Sequence, residues 1–280
     1  MLPLIVRHLP YFVRARWVFR DYRPQPVTFG SISSWLQQFQ CEDRRAVLGL
    51  LGRVQYISEG RAEDLLMRLN ESLLSRLRAS GIPERNVIYV QMHDPGSSSG
   101  VMLNMVRDAC RLQRRGCWFI DSKNVRDLHE VTTQLETGAI VYVDDFCGSG
   151  HQFSDVRDFL ADHIVGAFPE FFLLLSICEE AIYELGKRGV EAVSGPVHSK
   201  ADRPLHPNST LLDPVLKRRL VDICREIDRA GGLGYRGLAT MVVTYRNAPD
   251  TVPVILRGNV SQDFVGILPR TTDLPPAAAI

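Results

Sequence analysis

None of the six cysteines, at positions 41, 110, 117, 147, 178 and 224, belongs to a Cys-x-x-Cys pair, and most sit inside apolar or helical-looking stretches. That pattern disfavours a structural zinc and suits reduced thiols in a cytosolic protein. Long apolar runs are lacking as well. The longest, Phe171–Cys178, is far too short to span a bilayer, and Met1–Pro10 is interrupted by Arg7, His8 and two prolines before a signal-peptide core can form. The expected location is the cytoplasm, with no membrane partner. Excess charge of either sign is also missing. With 33 basic and 32 acidic residues the formal net charge is +1, so any attraction to nucleic acid must come from a local patch. No GxxxxGK[ST] occurs, which excludes a P-loop, and there is no internal repeat or extended low-complexity segment.

What is present is a chain of 280 residues, 45% hydrophobic and 23% charged, enough for a full core in one or two domains. Its first 23 residues carry Arg7, Arg14, Arg16, Arg20 and Arg23 against a single aspartate, interleaved with Tyr11, Trp17, Phe19 and Tyr22. Such a mixture suits contact with RNA or a partner protein through phosphate pairing and stacking. From Ser31 to Ser80 the apolar spacing predicts three helices, one of them through Ala46, Val47, Leu50, Leu51 and Val54. The last runs through Leu65, Leu66, Leu69, Leu73, Leu74 and Leu77 and stops before Gly81 and Pro83. Trp35, Leu36 and Phe39 are expected in the core. Residues 1–82 thus read as an N-terminal helical region, a cap or partner-binding element.

From Asn86 onward short β-type runs each lead into a helical pattern: VIYVQ from Val87, CWFI from Cys117, AIVYV from Ala139, FFLLLSI from Phe171 and VEAVSG from Val190. Alternating strands and helices imply an α/β fold with a parallel sheet flanked by helices, and ligands in such sheets bind at the carboxyl ends of the strands. A helix over about 211–229, the glycine-rich break GGLGYRG and the strand-like runs ATMVVTY and TVPVIL follow. Residues 83–280 are taken as one domain continuous with the sheet.

The strongest chemical feature is Ile140-Val141-Tyr142-Val143 followed by Asp144, Asp145, Phe146, Cys147, Gly148, Ser149, Gly150, His151 and Gln152. It is an apolar strand, two acids, then a glycine loop opening a helix. Backbone N–H groups at such a helix start favour a phosphate. Two carboxylates just before the loop suit vicinal ribose hydroxyls and, with Mg2+, a pyrophosphate-bearing sugar. Tyr142-Val143-Asp144-Asp145 also spells the YxDD box of reverse transcriptases, but that box lies in a hairpin between strands, whereas a glycine loop and an amphipathic helix follow here.

In this order the residues resemble the type I phosphoribosyltransferases, whose signature is an apolar strand, two acids and a short loop for the 5-phosphate of phosphoribosyl pyrophosphate. The resemblance implies a type I phosphoribosyltransferase-like sheet, with Asp144 and Asp145 catalytic and metal-holding. It implies phosphate binding by Cys147, Gly148, Ser149, Gly150, His151 and Gln152. It also implies a pyrophosphate loop after the first strand of the sheet, made of Asp94, Pro95, Gly96, Ser97, Ser98, Ser99 and Gly100 and preceded by His93. Lys200 and Arg203, after the last sheet strand, are base-side candidates, and His93, His151 and Arg107 are further polar residues of interest. Mg2+ is the implied cofactor and phosphoribosyl pyrophosphate or a nucleotide the implied ligand. Where several salvage enzymes carry an acid beside the purine, this chain has Gly148.

Further stretches are similar to the phosphoribosyltransferase-like family associated with prokaryotic conflict systems: Trp35-Leu36-Gln37-Gln38-Phe39, Leu233-Gly234-Tyr235, and Tyr245 to Pro253. That resemblance spans about residues 30–270. It implies an effector of antiphage defence acting on nucleotides, nucleobases or nucleic acid, within systems built on a reverse transcriptase with a templating non-coding RNA or on cyclic nucleotides. Two alternatives stay open: a nucleobase salvage transferase, and a non-catalytic sensor of phosphoribosyl pyrophosphate or a nucleotide.

Overall fold

The computed structural model describes residues 2–92, 97–258 and 263–271. Contacts divide the chain into two compact units, Met1–Glu59 with Ser199–Ile280, and Gly60–His198. The first unit opens with α1 (Leu2–Val18), α2 (Phe29–Gln37), α3 (Arg44–Leu51) and β1 (Gln55–Ile57). The second holds α4 (Glu59–Ala79) from its second residue, β2 (Val87–Gln91), α5 (Ser98–Ala109), β3 (Trp118–Asp121), α6 (Val125–Gln134) and β4 (Ala139–Cys147). It continues through α7 (His151–Ala161), β5 (Glu170–Cys178), α8 (Glu179–Gly186), β6 (Val190–Ser194) and β7 (Val197–His198). The chain then returns to the first unit with α9 (Pro214–Ile227), β8 (Val242–Thr244) and α10 (Val254–Arg257). No helix among the described residues is long and apolar enough to cross a membrane.

This division departs from the expected boundary at residue 82 in two places. The leucine-rich α4 groups with the sheet, burying Leu66, Asn70, Leu73, Leu74 and Leu77 at helical spacing, and Tyr89 on β2 donates its hydroxyl to Asn70 Oδ1 at 2.6 Å. Residues beyond 198 group with the N-terminal helices instead of the sheet. There β1 pairs in parallel with β8, Gln55 opposite Val242 and Ile57 opposite Thr244. Trp35, Leu36 and Phe39 are buried as expected, and Trp35 Nε1 donates to Ile255 O at 2.9 Å. Phe19 and Tyr22 are buried too, leaving Tyr11 and Trp17 as the exposed aromatics of the arginine-rich start. The run TVPVIL is not a strand. Pro253 has no N–H to place in a ladder, and it sits at the N-cap of α10 with φ −55°.

In the second unit the sheet order is β3-β2-β4-β5-β6, all pairs parallel, with β7 also paired to β5. Parallel strands joined through helices have both faces covered, which is why β4 and β5 read as nearly continuous apolar runs and are buried along almost their whole length. On one face Ile88, Val90, Ile140, Tyr142, Phe172 and Leu174 form a single cluster. Phe153 of α7 meets Tyr142 edge-on at 5.2 Å and stacks on Phe172 at 4.3 Å, so the helix after the glycine loop is pinned to the sheet. The Tyr142 hydroxyl donates to Glu170 at 2.8 Å, and Arg157 grips the same carboxylate at 2.6 Å. Burial and then the Glu170 charge push the phenol well above its ordinary range, keeping it protonated as a donor. Tyr142→Phe is expected to cost about 1–2 kcal/mol in urea unfolding, since Arg157 still satisfies Glu170.

Candidate functional site at the sheet switch point

The chain steps from β2 outward to β3 and then returns to the other side of β2 with β4. The order therefore reverses between β2 and β4, and the crevice at their carboxyl ends is where open parallel sheets bind ligands. The two loops singled out in the sequence both end here.

β4 extends further than its apolar run suggests. Asp144 and Phe146 stay in register with Leu174 and Ser176 of β5, and Cys147 with Ile177, so both acids lie inside the strand. They are 7% and 8% exposed. Asp144 Oδ1 accepts from the Ser98 hydroxyl at 2.6 Å and from the Asp145 backbone N–H at 2.8 Å. Burial raises the Asp144 pKa above its ordinary 3.8, and these bonds only partly oppose the rise. In the ligand-free protein its contribution to stability is therefore fully present below pH 3.8 and is lost as pH rises through the elevated value. Asp144→Asn is expected to melt increasingly higher than the parent as pH is raised from 4 towards 7. A melting difference independent of pH across that series would contradict a desolvated carboxylate.

Past Cys147 the backbone makes its turn through Gly148, Ser149 and Gly150 into α7. Gly150 has φ 81°, and a Cβ there would lie 3.0 Å from Cβ of Glu184, so glycine is required on both counts. The first N–H groups of α7 have no carbonyl partner within the helix, and His151 N reaches only the Ser149 hydroxyl at 3.4 Å. His151 Nδ1 is buried and without a hydrogen-bond partner. Burial, helped by Asp144 and Cys178, pushes the Cys147 thiol far up, so this residue offers the site its main chain and no thiolate. Gln152 is exposed on the first turn.

On the β2 side, Asp94, Pro95 and Gly96, with His93, lie outside the described residues. Ser97 is the N-cap of α5, and Ser98, Ser99 and Gly100 form its first turn. Ser98 reaches Asp144. Ser99 is fully buried and braces the crevice: its Oγ accepts from Met92 N at 2.8 Å and donates to Val143 O at 2.6 Å. Gln91 and Asp121, at the carboxyl ends of β2 and β3, belong to the same edge, with Gln91 Nε2 3.4 Å from Asp121 Oδ2. The sequence offered a cue to Asp121 only as an acid closing a short apolar run. Lys200 and Arg203 lie in the other unit, where Lys200 is exposed. Arg203 is 1% exposed there, and its Nη1 donates to Leu238 O at 3.5 Å. Arg107 pairs with Asp108 at 2.9 Å on the outside of α5.

No three His, Cys, Asp or Glu side chains converge as a metal cage among the described residues. The donor set fits Mg2+ of another kind, held by one or two carboxylates with substrate phosphates completing its shell. Asp144 and Asp145 are the carboxylates that could hold such an ion. The Ser98 and Ser149 hydroxyls, the α7 N-terminus and the orphaned His151 nitrogen are the polar groups an oxygen-rich anionic ligand requires.

A family model described as PRTase-CE matches residues 32–270. Comparison with curated proteins gave no match.

Proposed function

Because the chain belongs to the PRTase-CE family, a phosphoribosyltransferase-like family, we propose that its switch-point crevice binds phosphoribosyl pyrophosphate and that the protein is a transferase effector of antiphage defence. The observation carrying this is the 2.6 Å bond from Ser98 to Asp144, which joins the loop after β2 to the acids of β4. A donor with phosphate at one end and pyrophosphate at the other needs two loops held at a fixed separation around the sugar.

In this mechanism the N–H groups of residues 148–152 and the Ser149 hydroxyl hold the 5-phosphate. Asp144 and Asp145 orient the ribose hydroxyls, and the first turn of α5 faces the pyrophosphate. Asp144 and Asp145 would hold Mg2+, which would supply charge neutralisation for the departing pyrophosphate. The bond from C1 to the pyrophosphate oxygen breaks as an acceptor lone pair bonds to C1, and the acceptor proton passes to solvent. Gly148, in the place where several salvage enzymes carry a base-side acid, favours an acceptor other than a free purine and so an effector over salvage. The same glycine supports a second reading, a sensor that binds the donor without turnover. Systems pairing such effectors with a reverse transcriptase and its non-coding RNA, or with cyclic nucleotides, provide the setting, in the cytoplasm.

Phosphoribosyl pyrophosphate with Mg2+ is expected to raise the melting temperature under either reading, since only the folded chain binds it. At 100 times the dissociation constant the gain is about 2.7 kcal/mol. The absence of a shift would remove the site assignment. Release of pyrophosphate in the presence of a panel of bases, nucleotides and RNAs separates transferase from sensor.

A further inference from the structure

At the amino ends of β2 and β3, the edge of the sheet opposite Asp144, the second unit gathers arginines. Arg78, Arg85 and Arg115 line one open concavity with Glu84. Glu84 lies 3.2 Å from Arg78 and 3.5 Å from Arg115, and Glu71 holds Arg115 at 2.6 Å, so these two guanidiniums are fixed by acids. Arg85, Arg111 and Arg114 differ: all three are exposed, and none joins an ion pair with another described residue. Arg85 precedes β2 while Arg111 and Arg114 lie in the turn that enters β3, so all three fall at the amino ends of these paired strands. A Cβ placed on Gly116 would lie 3.4 Å from that of Arg85, and Arg111, in the left-handed region at φ 51°, opens the tight turn that ends at Gly116. Directly after it, Trp118 is 39% exposed on β3, the edge strand of the sheet.

We propose that this end of the sheet, with exposed Arg85, Arg111 and Arg114 and the exposed Trp118 of the edge strand, binds single-stranded nucleic acid. Three unpaired guanidiniums offer fork-shaped donors to backbone phosphates, while acids hold their two neighbours in place. An exposed indole gives a base a surface on which to stack, which a duplex cannot use without unpairing. The whole chain carries almost no net charge, so this local excess of cations is not a by-product of a basic composition. The site is independent of the donor crevice, which lies at the other ends of the same strands.

The test is fluorescence anisotropy of the full chain with fluorescein-labelled 20-nucleotide oligouridylate, oligodeoxythymidylate and a 20-base-pair duplex, at 50 and 200 mM KCl. The expected result is saturable binding of one or both single strands at 50 mM KCl, tighter than to the duplex. The triple variant Arg85→Gln/Arg111→Gln/Arg114→Gln should bind at least about ten-fold more weakly, with a salt slope smaller by about 2, from three lost phosphate contacts. Trp118→Ala should weaken binding about five-fold or more. Equal binding of duplex and single strand, a triple variant that binds like the parent, or no binding at 50 mM KCl would each overturn the proposal. All substituted residues are exposed, and an unchanged melting shift with phosphoribosyl pyrophosphate and Mg2+ separates this outcome from a failure of the donor site.

Discussion

Asp145→Asn is expected to lower donor-dependent pyrophosphate release by about 100-fold or more, the loss typical when one preorganised charge is taken from a transition state. The substitution keeps the side chain's size inside β4, and it removes the charge proposed to hold the ribose and to help bind Mg2+. Asp144→Asn should cause a similar loss of release while raising the ligand-free melting temperature near pH 7. Those opposite signs in a single variant are characteristic of a carboxylate buried at a cost for the sake of a ligand. Pyrophosphate release that is the same in Asp145→Asn and the parent would remove the catalytic assignment. If the parent releases none yet binds the donor, the sensor reading stands.

Gly150→Ala should have the next largest effect. An alanine at φ 81° is strained by about 1–2 kcal/mol, and its Cβ would approach Glu184 to 3.0 Å and Cα of Ala181 to 3.4 Å. Together these shift the loop away from the α7 N-terminus or open the packing against α8. The expected outcome is a melting temperature lower by roughly 5 °C and a loss of most of the shift given by phosphoribosyl pyrophosphate. Gly186→Ala is the control. It has no positive φ and open space around its Cβ, so it should be neutral or slightly stabilising. Equal effects of the two alanines would show that the conformation of Gly150 is not what the loop requires.

The parts of the fold legible in the sequence are those whose signal is local. The leucines of α4 repeat at helical spacing and stop at Gly81 and Pro83, and the helix ends at Ala79. The apolar run before Asp144 is a buried strand, and the glycines after it form the turn into α7. What was hidden depends on distant partners. β1 and β8 are three residues each, too short to show alternation, and they pair across the whole sheet-forming segment. Ser99 looked like one more small residue of a loop. Only the fold shows that it ties Met92 to Val143 from inside the first turn of α5. Asp121 and Gln91 reach the crevice through the pairing of β2 with β3, which no spacing along the chain reports.

The pairing of β1 with β8 also bears on the order in which the protein takes shape. Gln55 and Val242 must meet, and the entire segment Gly60–His198 is synthesised between them. On a ribosome the sheet can form from consecutive strand and helix pairs as they emerge, whereas Trp35 and Phe39 wait for their partners Ile255 and Phe264 until residues beyond 199 arrive. Helices α1 to α3 are therefore made before the sheet and completed after it, and in that interval they expose apolar side chains that a chaperone could cover.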